Sequence, residues 1–150
     1  MVIRKGELRD ASSIVDVIQV SVLSTHKELY SKEAIEDILS NYTLGRVEHF
    51  IEAYDYFVAE ENNEIVGCVL MKEGKMRSLY ILPLLRGQGL GRKLVEVVED
   101  CAREQGYKEI WLWSSLVSYD FYIHMGYEFI ENVKNDKDII VDKAMKKSLK

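Results

Sequence analysis

The chain has 150 residues, 47% of them hydrophobic, which is enough for one sizeable core. Its net charge of −5 argues against a nucleic-acid partner, because binding to phosphate backbones relies on a surplus of clustered Lys and Arg, and it mildly favours a small cationic ligand. No apolar run approaches the ~20 residues of a membrane-spanning helix and no linker composition interrupts the chain, so we expect one cytoplasmic domain over residues 1–150 and no membrane partner.

The first third of the chain predicts a strand followed by helices. Residues 2–5 are predicted to form a short strand, and Asp10 is placed to cap a helix whose apolar residues recur at four-residue spacing. Ser31 begins a second helical region with a similar stripe. This region continues beyond Gly45 as one broken helix or two short helices.

From residue 56 the apolar period changes to that of strands. Residues 56–60, 65–71 and 76–82 are predicted to form an antiparallel meander, because short polar segments separate them. Pro83, the only proline, ends the third strand, and a helix is predicted over residues 89–105 after a glycine-rich loop. The buried stripe predicted for this helix is Leu90, Leu94, Val97, Val98 and Cys101.

The remaining residues predict a strand at 110–113, a short helix at 118–125 and a closing hairpin of residues 127–133 and 139–145. The element order is therefore β-α-α-β-β-β-α-β-α-β-β, which belongs to the mixed α/β (α+β) class.

The loop at residues 86–91 (RGQGLG) stands between a strand and a helix, an arrangement that binds phosphates because first-turn amides lack partners within the helix. A Walker loop requires Gly-Lys-Ser/Thr, but Arg92 and Lys93 follow Gly91. The dinucleotide fingerprint requires glycine in place of Arg92 and a preceding βαβ unit, whereas a meander is predicted here. Both of these nucleotide sites are excluded.

The charges around this loop also favour a bound anion over the alternative, a surface turn with solvated side chains. Arg86, Arg92 and Lys93 crowd the helix N-terminus, where the helix dipole opposes each cation by about 0.3–1 kcal/mol. A bound diphosphate would reverse the sign of that interaction.

The pattern Arg86-x-x-Gly89-x-Gly91 after the third meander strand, together with residues 121–127 (FYIHMGY), resembles the GNAT superfamily of N-acetyltransferases. The resemblance covers nearly the whole chain. It implies a GNAT-like, mostly antiparallel central sheet of about seven strands flanked by helices, with acetyl-CoA as the acetyl donor. In this family the strand before the loop parts from the strand at residues 110–113, and the gap admits the thioester.

The resemblance also implies how acetyl-CoA is held. Loop amides with Arg86 and Arg92 would hold the pyrophosphate, and the backbone of the preceding strand would pair with the pantetheine arm. Ser115 stands where the family often has an asparagine that contacts this arm. The implied cofactor-binding residues are Leu79, Tyr80, Ile81, Arg86, Gly87, Gln88, Gly89, Leu90, Gly91, Arg92 and Ser115.

Acetyl transfer requires a neutral amine, a donor to the developing oxyanion and a proton for the departing thiolate. Tyr122 matches the family's tyrosine, and its reference pKa of about 10 exceeds the ~8.5 of a thiol, so Tyr122 is the predicted proton donor. The alternative is that it only packs on an amphipathic helix. Residues 76–82 contain no carboxylate, which leaves the general base open among His26, Glu28, Glu33, Glu60 and a water relay.

Other reactive residue types are given structural interpretations. The histidines and cysteines show no metal-ligand spacing, so no metal is predicted, and Cys68 and Cys101 are expected to be small buried hydrophobes. Trp111 and Trp113 are expected to fill the core rather than line the acceptor site. That site is expected in the least patterned segments, residues 24–30 and 132–138.

The sequence thus predicts an enzyme that moves acetyl from acetyl-CoA to a primary amine by direct attack in a ternary complex. The alternative is a non-catalytic CoA-binding or regulatory module of the same fold. The acceptor is left open among polyamines, amino sugars, free amino acids and protein or peptide amino groups, and acyl groups longer than acetyl are left open as well. Relatives commonly dimerise, and the closing hairpin could supply the edge for a homodimer.

Overall fold

In the computed structural model, which describes residues 1–150, seven strands join one sheet in the order β1-β2-β3-β4-β5-β7-β6. All neighbours are antiparallel except β4 and β5. The strands are β1 (Val2–Lys5), β2 (Asp55–Glu61), β3 (Glu64–Lys72), β4 (Lys75–Ile81), β5 (Glu109–Ser115), β6 (Glu128–Lys134) and β7 (Ile140–Ser148). The helices are α1 (Ala11–Thr25), α2 (Lys32–Ser40), α3 (Leu44–Ala53), α4 (Leu90–Glu104) and α5 (Tyr119–His124). The predicted fold class is confirmed.

The helical region after residue 31 is two short helices because each has its own N-cap. Ser31 Oγ accepts from the N–H of Ala34 at 3.1 Å, and Thr43 Oγ1 accepts from the N–H of Arg46 at 3.3 Å. Asp10 stands at the N-terminus of α1 as predicted, but its side chain does not cap that helix.

The Asp10 carboxylate binds elsewhere. It accepts two hydrogen bonds from the Arg4 guanidinium, at 2.8 and 3.0 Å, and one from the N–H of Glu7 at 2.8 Å. The bonds from Arg4 hold the pKa of Asp10 below its ordinary value. This charged pair fastens the start of α1 to β1.

The sheet separates two cores. α1, α2 and α3 pack on one face, against residues such as Val58, Cys68 and Leu70, and α4 packs on the other against residues such as Val69 and Met71. Because both faces of β2 and β3 are covered, these strands are almost continuously apolar. No helix is long and apolar enough to cross a membrane.

The contact line of α4 differs in part from the predicted stripe. Leu90, Leu94 and Val98 are buried as predicted, whereas Val97 and Cys101 are only partly buried. Helix positions four apart share one face, so the contact line continues instead to Ala102, with Val95 beside it. A Cβ at Gly67 of β3 would lie 3.3 Å from Leu94 Cδ1, which shows how closely this face approaches the sheet.

The strands β4 and β5 pair over only two residues of β4, Lys75 and Met76, and then part. A bulge follows on β4, where Ser78 and Leu79 together stand opposite Val69 of β3. Ser78 has a φ of +58°, in the left-handed region that a non-glycine residue adopts rarely. The parting opens a gap in the sheet beyond the bulge.

A buried polar cluster holds α5 beside this gap. Glu99 of α4 accepts a hydrogen bond from Tyr127 Oη at 2.8 Å and one from Lys147 Nζ of β7 at 3.0 Å. The Tyr127 ring meets the edge of the Tyr122 ring with centroids 5.5 Å apart. The orientation of Tyr122 is therefore tied to both α4 and the sheet.

Candidate functional site

The glycine-rich loop leaves the first turn of α4 open. Gly87 and Gly89 have φ of +78° and +85°, values that suit glycine, and Gly89 is the N-cap residue without a side chain to satisfy the helix amides. A Cβ at Gly91 would lie 3.2 Å from the Phe121 ring and 3.3 Å from Ile81 Cδ1. The backbone at Gly87 and Gly89 is therefore open to a ligand. The backbone at Gly91 packs closely against α5 and β4.

A cavity of about 390 Å³ lies against this loop and extends into the gap. Its lining combines apolar side chains with two guanidinium groups, neither of which has a carboxylate within 4.0 Å. We call it the loop cavity; it is lined by Leu79, Ile81, Leu85, Arg86, Gly87, Gly89, Gly91, Arg92, Val117, Ser118 and Phe121. Seven of the residues predicted to bind the cofactor are thus brought together.

The other four predicted cofactor residues are placed differently. Gln88 is exposed and its side chain donates to Leu84 O at 3.3 Å, and the Leu90 side chain is buried in the core, so both offer only backbone groups to the loop. Tyr80 and Ser115 line a second cavity instead. A cofactor role for each of these residues stays a prediction.

The edge of β4 supplies backbone groups to the gap. Leu82 N–H donates to Val66 O of β3 at 2.9 Å, and hydrogen-bonded pairs recur at every second residue of an antiparallel ladder. The backbone of Tyr80 therefore faces β3, while the N–H and C=O of Ile81 face away from it, toward the gap. These groups are available to an extended ligand arm.

A second cavity, of about 370 Å³, opens on the side of the sheet that carries α1, α2 and α3. It shares Leu79, Arg86 and Ser118 with the loop cavity, so the two adjoin where β4 and β5 part. We call it the acceptor cavity because residues 24–30, where the acceptor site is expected, contribute to its lining; binding of an acceptor here stays a prediction. Its ionisable lining residues are His26, Tyr30, Tyr42, Lys75, Arg77, Tyr80, Arg86, Tyr122 and Asp142.

Tyr122 is buried and lines the acceptor cavity from α5. Burial raises its pKa above the ordinary value for tyrosine, because the phenolate would lose its hydration. The hydroxyl is therefore protonated at neutral pH. The ring also packs in the core, as the alternative interpretation expects, and proton donation by Tyr122 stays a prediction.

Among the four candidate bases named from the sequence, only His26 lines the acceptor cavity. Glu60 pairs with Arg4 at 3.3 Å, Glu33 pairs with Lys137 at 3.3 Å, and Glu28 is exposed outside the cavity lining. Burial, together with the charge of Arg86, lowers the pKa of His26 to about 4. This imidazole is neutral at pH 7 and weakly basic.

Asp142 of β7 is a site residue that the sequence interpretation missed. It lines the acceptor cavity, where burial raises its pKa to about 7 and the charge of Lys75 opposes the shift. The residue belongs to no motif. Its one signal is that it follows three consecutive apolar residues, at 139–141, and charged residues inside apolar strands are seldom buried without a role.

The tryptophans do not fill the core as expected. Trp111 and Trp113 are 40% and 55% exposed, because α1 and α3 pack against β2, β3 and β4, while the tryptophan face of β5 lies beyond them. Trp113 lines the acceptor cavity. Residues 24–30 contribute to this cavity as expected, whereas residues 132–138 do not.

The cysteines take no part in either cavity. Cys68 is fully buried, and burial raises the pKa of its thiol to about 12, so it packs as a small hydrophobe as expected. Cys101 is only partly buried, and burial raises its pKa too. No group of three or more His, Cys, Asp or Glu side chains is arranged to hold a metal ion.

Comparisons with known proteins agree on one family. Residues 26–149 match the family model described as an acetyltransferase (GNAT) domain. The chain is 31% identical over 134 residues to an uncharacterized N-acetyltransferase of Chlorobaculum tepidum, which covers 86% of this chain and 76% of that protein. Its fold is similar to a GCN5-related N-acetyltransferase from Rhodopseudomonas palustris (TM-score 0.90, 20% identity, 99% of this chain and 95% of that one). It is also similar to PaiA N-acetyltransferase from Thermoplasma acidophilum in complex with coenzyme A (TM-score 0.81, 22% identity, 98% of both chains).

The raised pKa of Asp142 predicts a titration that can be measured by carboxyl-carbon NMR. We expect a midpoint near pH 7, absent from Asp142→Asn, and a midpoint at the ordinary 3.8 would contradict the desolvation of this half-buried carboxyl group. The folded-state pKa lies above the unfolded value. Relative to Asp142→Asn, the wild-type protein should therefore lose stability as the pH rises from about 4 to about 7 and then stay level.

Proposed function

Because the chain belongs to the acetyltransferase (GNAT) domain family, we propose that it is an N-acetyltransferase that uses acetyl-CoA to acetylate a primary amine. One observation carries this proposal. The loop cavity has the features of a phosphate site and the acceptor cavity holds ionisable groups, and the two meet at Leu79, Arg86 and Ser118 where the strands part. Such an arrangement suits direct transfer between two bound molecules.

The loop cavity fits the donor. The uncapped amides at the start of α4, with Arg86 and Arg92, would hold the pyrophosphate, and the free edge of Ile81 would bind the pantetheine arm. Acetyl-CoA supplies the thioester whose acetyl group passes to the amine and whose thiolate leaves. The coenzyme A in the Thermoplasma acidophilum protein supports this ligand, since the two chains share a fold.

The acceptor cavity supplies the groups for proton transfer. Asp142 is the only carboxylate that lines it, and its pKa of about 7 is well matched to removing a proton from an ammonium group at neutral pH. Tyr122 holds its proton and would donate it to the departing thiolate. Asp142 first takes one proton from the ammonium group and releases it to solvent. As the nitrogen–carbon bond forms and the carbon–sulfur bond breaks, the second nitrogen proton passes to Asp142 and the Tyr122 proton passes to the thiolate. Return of the proton from Asp142 to Tyr122, through water, restores both groups.

Donor binding can be tested by isothermal titration of acetyl-CoA into the wild-type protein and the double variant Arg86→Ala, Gly89→Asp. We expect saturable binding that weakens at least ~100-fold in the variant, because a guanidinium is lost and a carboxylate is placed at the helix N-terminus. Arg103→Ala, an exposed cation in the last turn of α4, serves as the control and should bind like wild type. Equal affinity in the double variant would show that acetyl-CoA does not bind in the loop cavity.

Proton donation can be tested with Tyr122→Phe. We expect kcat for thiol release with an accepted amine to fall at least ~100-fold while acetyl-CoA affinity is unchanged, since the hydroxyl acts on the leaving group. Tyr119→Phe changes a partly buried tyrosine of the same helix outside both cavities and should keep full activity. Unchanged turnover in Tyr122→Phe would show that another group donates the proton. Donor binding without turnover by the wild-type protein on any amine would favour the non-catalytic module.

A further inference from the structure

The acceptor cavity carries more positive than negative charge, although the chain as a whole has a net charge of −5. Lys75, Arg77 and Arg86 line it, against the single carboxylate of Asp142. None of the three cations forms an ion pair within 4.0 Å. His26 is neutral and adds no charge. The local charge therefore disfavours a polycationic acceptor, whatever the net charge implies.

Two of these cations are held in place by aromatic rings. Lys75 Nζ lies 3.8 Å from the centroid of Trp113, and Arg77 Cζ lies 5.7 Å from that of Phe50. Rings orient a cation and partly replace its water, but they do not neutralise it. Lys75 and Arg77 are two positions apart on β4 and so project from the same face of the strand. Burial and the charge of Arg77 both lower the pKa of Lys75, and the charge of Asp142 opposes this shift only in part.

The third cation, Arg86, is proposed to bind the pyrophosphate and not the acceptor. Arg86 lines both cavities and is assigned to the pyrophosphate, whereas Lys75 and Arg77 line the acceptor cavity alone. The cavity volume of about 370 Å³ suits a small metabolite. A planar guanidinium beside an ammonium group matches the geometry of a carboxylate or a phosphate.

We propose, on the basis of the proposed function, that the acceptor is a small amine that also carries an anionic group, bound between Lys75 and Arg77 while its amine faces Asp142. Such a molecule pairs its anionic group with the two cations and its amine with the single carboxylate that lines the cavity. A polyamine would place further ammonium groups against Lys75 and Arg77. An amine that lacks an anionic group would leave both cations without a partner.

The first arm of the test compares acceptors that differ only in the anionic group. L-amino acids are assayed against their carboxamides, and O-phosphoethanolamine is assayed against ethanolamine, with spermidine as the polycation. We expect at least one charged member to exceed its neutral partner by ~10-fold or more in kcat/KM. The pair that responds identifies the anion as carboxylate or phosphate.

The second arm uses variants. Arg77→Gln and Lys75→Gln should raise KM for the preferred anionic acceptor at least ~10-fold more than KM for its neutral partner. Lys72→Gln is the matched control, because Lys72 Nζ also lies over an aromatic ring, 4.9 Å from the centroid of Tyr54, on the neighbouring strand but outside the cavity. It should behave like wild type.

The third arm measures binding without turnover, so that this inference and the proposed function can fail separately. The protein saturated with CoA is titrated with N-acetyl amino acids, their carboxamides, phosphoethanolamine and ethanolamine. Tighter binding of the anionic members that is lost in Arg77→Gln supports the inference even if no amine is acetylated, a result that would sink the proposed function alone. Anionic ligands that neither bind more tightly nor react faster than their neutral partners, or a preference for spermidine, would overturn it.

Discussion

The early parting of β4 from β5 is the constraint on which both cavities depend. The parallel pairing stops after Lys75 and Met76, and the bulge at Ser78 and Leu79 turns the rest of β4 away. β5 keeps β7 as a partner along its length. β4 has no neighbouring strand on the β5 side beyond the bulge, so its backbone N–H and C=O groups on that side lack strand partners. Unpaired backbone groups are expensive when water is excluded, which is why a ligand arm that replaces the missing strand fits this edge.

Charge placement lets each of the two cavities favour an anionic group. At the start of α4 the helix dipole and the guanidinium groups favour one anion, and the adjoining cavity holds its own cations against aromatic rings. Arg86 lies at the boundary between the cavities, and its charge helps to keep the His26 imidazole neutral. Under the proposed function, pyrophosphate in the loop cavity would be coupled electrostatically to the groups around the acceptor.

Local sequence patterns predicted most of the fold, and long-range packing decided what they missed. The apolar periods, the caps and the loop glycines act within a few residues, so the element order and the position of the glycine-rich loop could be predicted from the chain alone. Trp113 is exposed because the helices of the first third of the chain cover β2, β3 and β4 and do not reach this face of β5. Asp142 faces the acceptor cavity only because β7 lies beside β5, 25 or more residues earlier in the chain. The spacing of residues along the chain does not show which side chains distant elements will cover or leave exposed.

The most direct test of this account is to titrate the isotopically labelled protein with acetyl-CoA and follow the backbone amide signals by NMR. The account predicts saturable shifts concentrated at Ile81 and at residues 88–92, on the two sides of the gap, with smaller changes on β1 and β2. Saturable shifts centred elsewhere, or none at acetyl-CoA concentrations well above the cellular range, would contradict the assignment of the gap as the donor site.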